Sequence, residues 1–197
     1  PPGYAAGPAP ASTYHAGVFA NDGERAYGLS RKGLHWFSPG AIGIVALPRE
    51  LESAQLHGLI ALESGDLLVF GGEHVARIDP TGETPPEMYA PLPKGVSVFG
   101  GCALGDHVYL AGSSREDGAM DPCGAIVHFW ERSLLGIQRT GSGPLRACAT
   151  LNGDSTYACG DDGAFVLFQG QASTILETNV DARLSAISCS ESRPSFG

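Results

Sequence analysis

One short phrase recurs along the chain: an apolar run, a glycine followed by an acid, a second apolar run, a polar turn, and a third apolar run. It reads "GVFANDGERAYGLSRKGLHWF" at 17–37, "GLIALESGDLLVFGGEHVARI" at 58–78 and "LNGDSTYACGDDGAFVLF" at 151–168. A further copy, "GCALGDHVYLAGSS" at 101–114, is completed after an interruption by "GAIVHFW" at 124–130. A partial one, "SAISCSESRPSFG", occupies 185–197. Aligning each full copy on its last apolar residue superposes Phe37, Ile78, Phe129 and Phe168, which lie 41, 51 and 39 positions apart. Counting "SSREDGAMDPC" (113–123) as an insertion brings the middle interval back to its siblings. Runs this short, β-branched and glycine-punctuated are strands more readily than helices.

Each copy parses into four strands. The first carries Val18, Ile60, Cys102, Cys148 or, in the partial copy, Ile187 at equivalent places. A glycine-acid pair follows (Gly23-Glu24, Gly65-Asp66, Gly105-Asp106, Gly153-Asp154), in which glycine tolerates the positive φ of a tight turn and the acid bonds its own backbone. The second strand holds Tyr27, Val69, Tyr109, Tyr157 or Phe196, and the third reads like Leu34–Phe37 and Phe165–Phe168. The fourth, "AIGIVAL", "EMYAPL", "LLGIQRT" or "STILETN", has the mixed, proline-flanked character of an edge. A repeat near 40 residues, one four-stranded sheet per repeat, predicts an all-β chain of the β-propeller class.

The phrase "GDLLVFGGEHVARIDPTG" resembles the blades of bacterial two-component-regulator and kelch-like propellers, and the resemblance covers residues 15–197. The WD40 pattern is absent: Trp36 is followed by Phe and Trp130 by Glu, and kelch-style paired glycines occur only as Gly71-Gly72 and Gly100-Gly101. The expected organisation is a Pro/Ala/Gly-rich arm or linker over 1–14, then blades over about 15–50, 51–93, 94–140 and 141–180, with a partial blade over 181–197. Four blades and a fraction do not close a ring of whole blades. The expectation is therefore a portion of a larger propeller, or one completed by another polypeptide.

The fold resemblance implies that the loops between second and third strands share one rim. It gathers "SRKG" (30–33), "GEH" (72–74), the 113–123 insert and "GDDG" (160–163). Candidate binding residues are therefore Glu73 and His74, then Arg115, Glu116, Asp117, Met120 and Asp121 of the insert, then Asp161 and Asp162, beside the basic Arg31 and Lys32. A carboxylate cluster on a rim is cation chemistry, whereas acids next to glycine are also plain turn formers. The insert stands apart, because a loop longer than its siblings is more often functional.

No metal-site motif is present, and no cofactor is expected. Of six histidines, His35 and His128 fall within third strands and read as packed residues, leaving His74 as the one to test. There is no G-x-S-x-G elbow; "GSGP" (141–144) lacks the lysine of a phosphate loop, and "GGEHVARIDPTG" carries no dinucleotide signal. If Gly153-Asp154 closes a two-residue hairpin, Cys148 and Cys159 face each other, as a redox-active pair or as two buried thiols packing as small hydrophobes. Cys123 in the insert is the expected exposed thiol. Trp36 and Trp130 read as inter-blade packing, with sugar stacking as the alternative. Five cysteines without C-x-x-C spacing favour a reducing, cytoplasmic setting.

The formal charge of −9 is spread along the chain and works against nucleic acid as the partner. No apolar run approaches the length of a membrane span, so membrane insertion is not expected. These features describe a non-catalytic scaffold that binds a protein partner through its loop-rich face. The alternatives are a glycan- or cation-binding, even hydrolytic, propeller and a sensor domain.

Overall fold

The computed structural model describes residues 14–19, 24–52, 54–115, 120–150, 155–170 and 172–188, with only the backbone of Tyr14, His15 and Glu52. The arm at 1–13 lies outside the described residues. Strand follows strand in four sheets. The first is β1 (Tyr14–Phe19), β2 (Ala26–Ser30), β3 (Gly33–Ser38) and β4 (Ala41–Val45). After a one-turn helix α1 (Arg49–Glu52), the second is β5 (Gly58–Ala61), β6 (Leu67–Gly71), β7 (His74–Ile78) and β8 (Glu87–Met88). The third comprises β9 (Val96–Leu104), β10 (His107–Ser114), β11 (Cys123–Trp130) and β12 (Ser133–Arg139). The fourth comprises β13 (Leu145–Thr150), β14 (Ser155–Gly160), β15 (Phe165–Gln169) and β16 (Ala172–Ile175). Every sheet is an antiparallel meander in chain order, the blade plan that the repeat predicts. No helix among the described residues is long and apolar enough to cross a membrane.

Blades 1 and 2 belong to one compact unit, Pro1–Lys94, and blades 3 and 4 to another, Gly95–Gly197. In the first, alternation along each strand sends Tyr27, Leu29, Leu34 and Val45 of blade 1 against Leu59, Leu67, Val69, Ala76 and Ile78 of blade 2. Leu51 of α1 and Leu56 close the same core. In the second, Tyr109, Ala111 and Ile126 of blade 3 meet Leu145, Cys148, Ala158, Val166 and Phe168 of blade 4. Close packing here depends on glycine. A Cβ on Gly71, Gly112 or Gly160, each near the rim end of a second strand, would strike the backbone at or just before the start of the first strand of its own blade. A Cβ on Gly100 would strike Arg146 O of β13, so the Gly100-Gly101 pair serves the approach of two blades.

Four expectations are revised by the strand pattern. First, the positions read as equivalent are not paired alike: Tyr27 lies opposite Val18 and Tyr109 opposite Cys102, but Val69 lies opposite Leu59 and Tyr157 opposite Ala149. The cause is loop length: Gly105-Asp106 is a two-residue turn between the paired Leu104 and His107, while Gly65-Asp66 sits in a longer loop between Ala61 and Leu67. Gly23 and Gly153-Asp154 lie outside the described residues. Second, the insert's two ends are strand: Ser113 pairs with Gly124 and Ser114 with Cys123. Third, "EMYAPL" yields only the two residues of β8, bounded by Pro86 and, soon after, Pro91, which have no N–H to donate. Fourth, the described part of the last partial copy, to Ser188, contains no strand. It runs beside blade 4 instead, with Gly163 N donating to Ala182 O and Leu184 N to Gly160 O.

Candidate functional site

The chemistry collects on the face that blade 3 turns to blade 4. The two-residue turn at Gly105-Asp106 sets Cys102 opposite Tyr109 and Leu104 opposite His107. The β10–β11 register then sets His128 opposite Tyr109 and Trp130 opposite His107. Cross-strand partners share a face, so His107, Tyr109, His128 and Trp130 form one aromatic patch. Deeper along the strands this face is filled by blade 4. Toward the turn end the filling stops, and Thr156, Phe168, Gln169 and Gly170 form the far wall of a cleft of about 640 Å³. That is within the range of small-molecule sites. Ile126, Leu135 and Ile137 line it with apolar surface; the two histidines and Gln138 supply polar groups.

The centre of this patch is a bond between imidazoles: His107 Nδ1 and His128 Nε2 are 2.9 Å apart. The ring centres are 5.2 Å apart, as a head-on approach of the two nitrogens requires. One ring N–H therefore donates to the lone pair of the other. The nitrogens aim at each other rather than at a shared third point, so this is a hydrogen bond and not a chelate. Either tautomer leaves one outer nitrogen as donor and the other as acceptor, at His107 Nε2 and His128 Nδ1. Tyr109 stacks on His128 at 4.3 Å between ring centres. Burial, and secondarily the neighbouring charge of His107, hold the His128 imidazole below the ordinary histidine range. A hydrogen-bonded imidazole pair in a half-apolar cleft can orient a polar ligand and pass a proton.

The residues singled out by sequence are placed differently. Glu73 and His74 stand exposed at the β6–β7 turn of the first unit, with Glu73 O accepting from Leu92 N at 3.4 Å. In the second unit Arg115 is exposed and its N donates to Gly95 O at 2.9 Å; Met120 is 92% exposed, and Asp121 is exposed beside it. Glu116 and Asp117 lie outside the described residues. Asp161 is engaged: Arg146 grips it through Nε, at 2.9 Å, and Nη2, and Arg183 lies 3.6 Å away. The Arg146 bonds, more than the charge of Arg183, hold its carboxyl below the usual range. Asp162 is exposed, in a left-handed turn at φ 55°. Among the described residues no three His, Cys, Asp or Glu side chains converge as a metal site would require. Trp36 packs against the first core with Arg25 over its ring, whereas Trp130 is 49% exposed.

The cysteine expectation is also revised. Cys148 faces Ala158 and Cys159 faces Ala147, because the β13–β14 loop spans one residue more than an even-length hairpin and moves the two thiols to opposite faces. Both are buried. Cys159 donates to Leu184 O at 3.7 Å, and burial raises its thiol. Cys148 meets a different thiol, Cys102, with 3.4 Å between sulfurs. Cys123 is half-buried rather than exposed, donating to Ser114 O at 3.3 Å, since β11 begins at this residue.

The histidine pair escaped the sequence reading for a definite reason. His128 sits mid-strand and reads as packed, and the insert hides the β10–β11 register that brings it to His107. The one available signal was the pattern His107-x-Tyr109 after a two-residue turn.

No family model matches the chain, and no curated protein matches it by sequence. Solved structures do match in shape. The WD40 β-propeller domain of Doa1 superposes with a TM-score of 0.69 at 12% identity, covering 89% of this chain and 58% of that one. U3-55K gives 0.68 at 11%, covering 89% and 54%. Virginiamycin B lyase from Staphylococcus aureus gives 0.65 at 11%, covering 85% and 56%. The fold is that of β-propeller proteins, and the chain spans little more than half the length of these neighbours.

Proposed function

We propose that this chain is a non-catalytic propeller scaffold that docks a protein partner through the tip of the β10–β11 hairpin. One observation carries the reading. β10 and β11 run eight residues each, while the second and third strands of the other blades run five or six, so this pair extends farther, to Ser114 and Cys123. Before β11, Met120 is 92% exposed, a flexible and polarizable side chain of the kind that adaptable interfaces use. The unpaired face of blade 1 adds a second apolar surface. Phe19 and Ile44 are each 73% exposed there, where a polypeptide completing the propeller would pack.

The test places a photo-reactive benzophenone side chain at Met120 and, as control, at the exposed Glu83. A defined polypeptide is expected to cross-link at 120 and not at 83, and to be lost when 115–122 is replaced by Asn-Gly, which keeps Ser114 and Cys123 paired. Equal labelling at both positions overturns the reading.

The His107–His128 cleft favours a second reading, a small-ligand or glycan module, with the half-exposed Trp130 offering a ring for stacking. A neutral oligosaccharide that bound there would stabilise the fold by about 2.7 kcal/mol at a hundredfold excess over Kd. His128→Phe would abolish that gain.

A further inference from the structure

We propose that Cys102 and Cys148 form a disulfide-competent pair that staples blade 3 to blade 4 when the protein meets a disulfide oxidant. The two thiols come from the first strands of neighbouring blades, β9 and β13, which lie 46 residues apart in sequence. Their sulfurs are 3.4 Å apart, close to contact, with no side chain between them. The approach is enforced by the backbone, since Gly100, two residues before Cys102, is where the β13 chain passes too near to admit a Cβ. Arg146, two residues before Cys148, lies over the Phe99 ring at 4.4 Å and is itself held by Asp161. The strands that present the sulfurs are thus clamped on the Phe99–Arg146 side of the pair. Cys148 Sγ also lies 3.3 Å from Tyr109 O, which accepts its proton, so across the pair the thiol of Cys102 donates.

Exposure gives the order of events. Cys102 is half-buried and Cys148 buried, so Cys102 meets the oxidant first. Its thiol loses a proton to solvent, and the thiolate attacks one sulfur of glutathione disulfide. A Cys102–glutathione bond forms and one glutathione thiolate leaves. Cys148 then gives up its proton and attacks the Cys102 sulfur. The inter-blade bond forms and the second glutathione thiolate departs, so two protein thiols are oxidised and one glutathione disulfide is reduced to two thiols. The hydrogen bond with Cys102 and the burial of the site push the Cys148 thiol well up. The second step is therefore slow at neutral pH and accelerates as pH rises.

The experiment uses the full chain, incubated with glutathione disulfide at pH 7 and pH 9, alkylated, cut with trypsin and read by mass spectrometry without reduction. The expected result is one cross-link joining the peptide 95–115 to the peptide 147–183, formed faster at pH 9. It persists in Cys159→Ser and vanishes in Cys102→Ser and in Cys148→Ala. The oxidised wild-type protein melts at a higher temperature than the reduced one, and Cys102→Ser, whose site is half-buried, shows no such difference. A cross-link that survives Cys148→Ala and requires Cys159, or full alkylation of Cys102 and Cys148 after oxidant, overturns the proposal.

Discussion

The two inter-blade contacts, blade 1 on blade 2 and blade 3 on blade 4, share one topology and differ in filling. The first is packed with branched aliphatics: Leu29, Leu34, Leu59, Leu67, Val69 and Ile78, with Leu51 and Leu56 lining a cleft of about 600 Å³ at its edge. The second uses small residues at its centre, Ala111, Ala158 and Cys148, and leaves a cleft at one end where two histidines meet. A filled seam supplies stability through area removed from water. A thin seam lets backbones approach and brings reactive side chains together. In this protein the chemistry lies where the filling is sparse.

The largest test of that contrast is truncation. Leu34→Ala, at a fully buried site of the first seam, should cost about 3 kcal/mol, while Cys148→Ala in the second should cost about 1 kcal/mol, both read from urea unfolding. Equal losses would erase the distinction. Next, Gly100→Ala should cost about 2 kcal/mol by forcing β9 off β13, and it should also slow the oxidation of Cys102 with Cys148. A stable variant with unchanged oxidation would show that the two strands approach elsewhere.

Histidine chemistry gives a smaller, pH-dependent effect confined to the second seam. Folding lowers the His128 pKa, so the unfolded chain binds protons more readily. Stability from this group is present above the ordinary value of 6.5 and is lost as pH falls through the folded value. His128→Gln should flatten the thermal midpoint between pH 7 and pH 5; an unchanged slope would mean another group carries it. The smallest effect is expected at the Arg146–Asp161 pair, partly open to solvent. Asp161→Asn should cost at most about 1 kcal/mol at pH 7, and the difference from wild type should shrink in acid as Asp161 protonates.

The blade plan was legible because it rests on period. Glycine-acid turns and alternating apolar residues mark where chain direction reverses, and both depend on near neighbours alone. Register was less legible. The two-residue turn at Gly105-Asp106 matched expectation, but the longer loop after Thr150 shifted Cys148 away from Cys159 by a single position, and one position exchanges the faces of a strand. The Cys102–Cys148 contact and the His107–His128 bond lay beyond that limit. The first joins different blades, and the second joins strands separated by the insert, so neither is written in local spacing. The acids of "GDDG" show the converse: their type suggested a free carboxylate, and the structure gives Asp161 to Arg146.

Within each sheet, every strand is hydrogen-bonded to the strand just before or just after it in the chain. Among the described residues no strand must wait for a distant stretch of polypeptide before it finds an edge to zip onto. Such a molecule can assemble as it leaves the ribosome, hairpin upon hairpin, with the entropic cost of closing each loop kept small. Its slow steps are then the docking of finished sheets rather than the making of them.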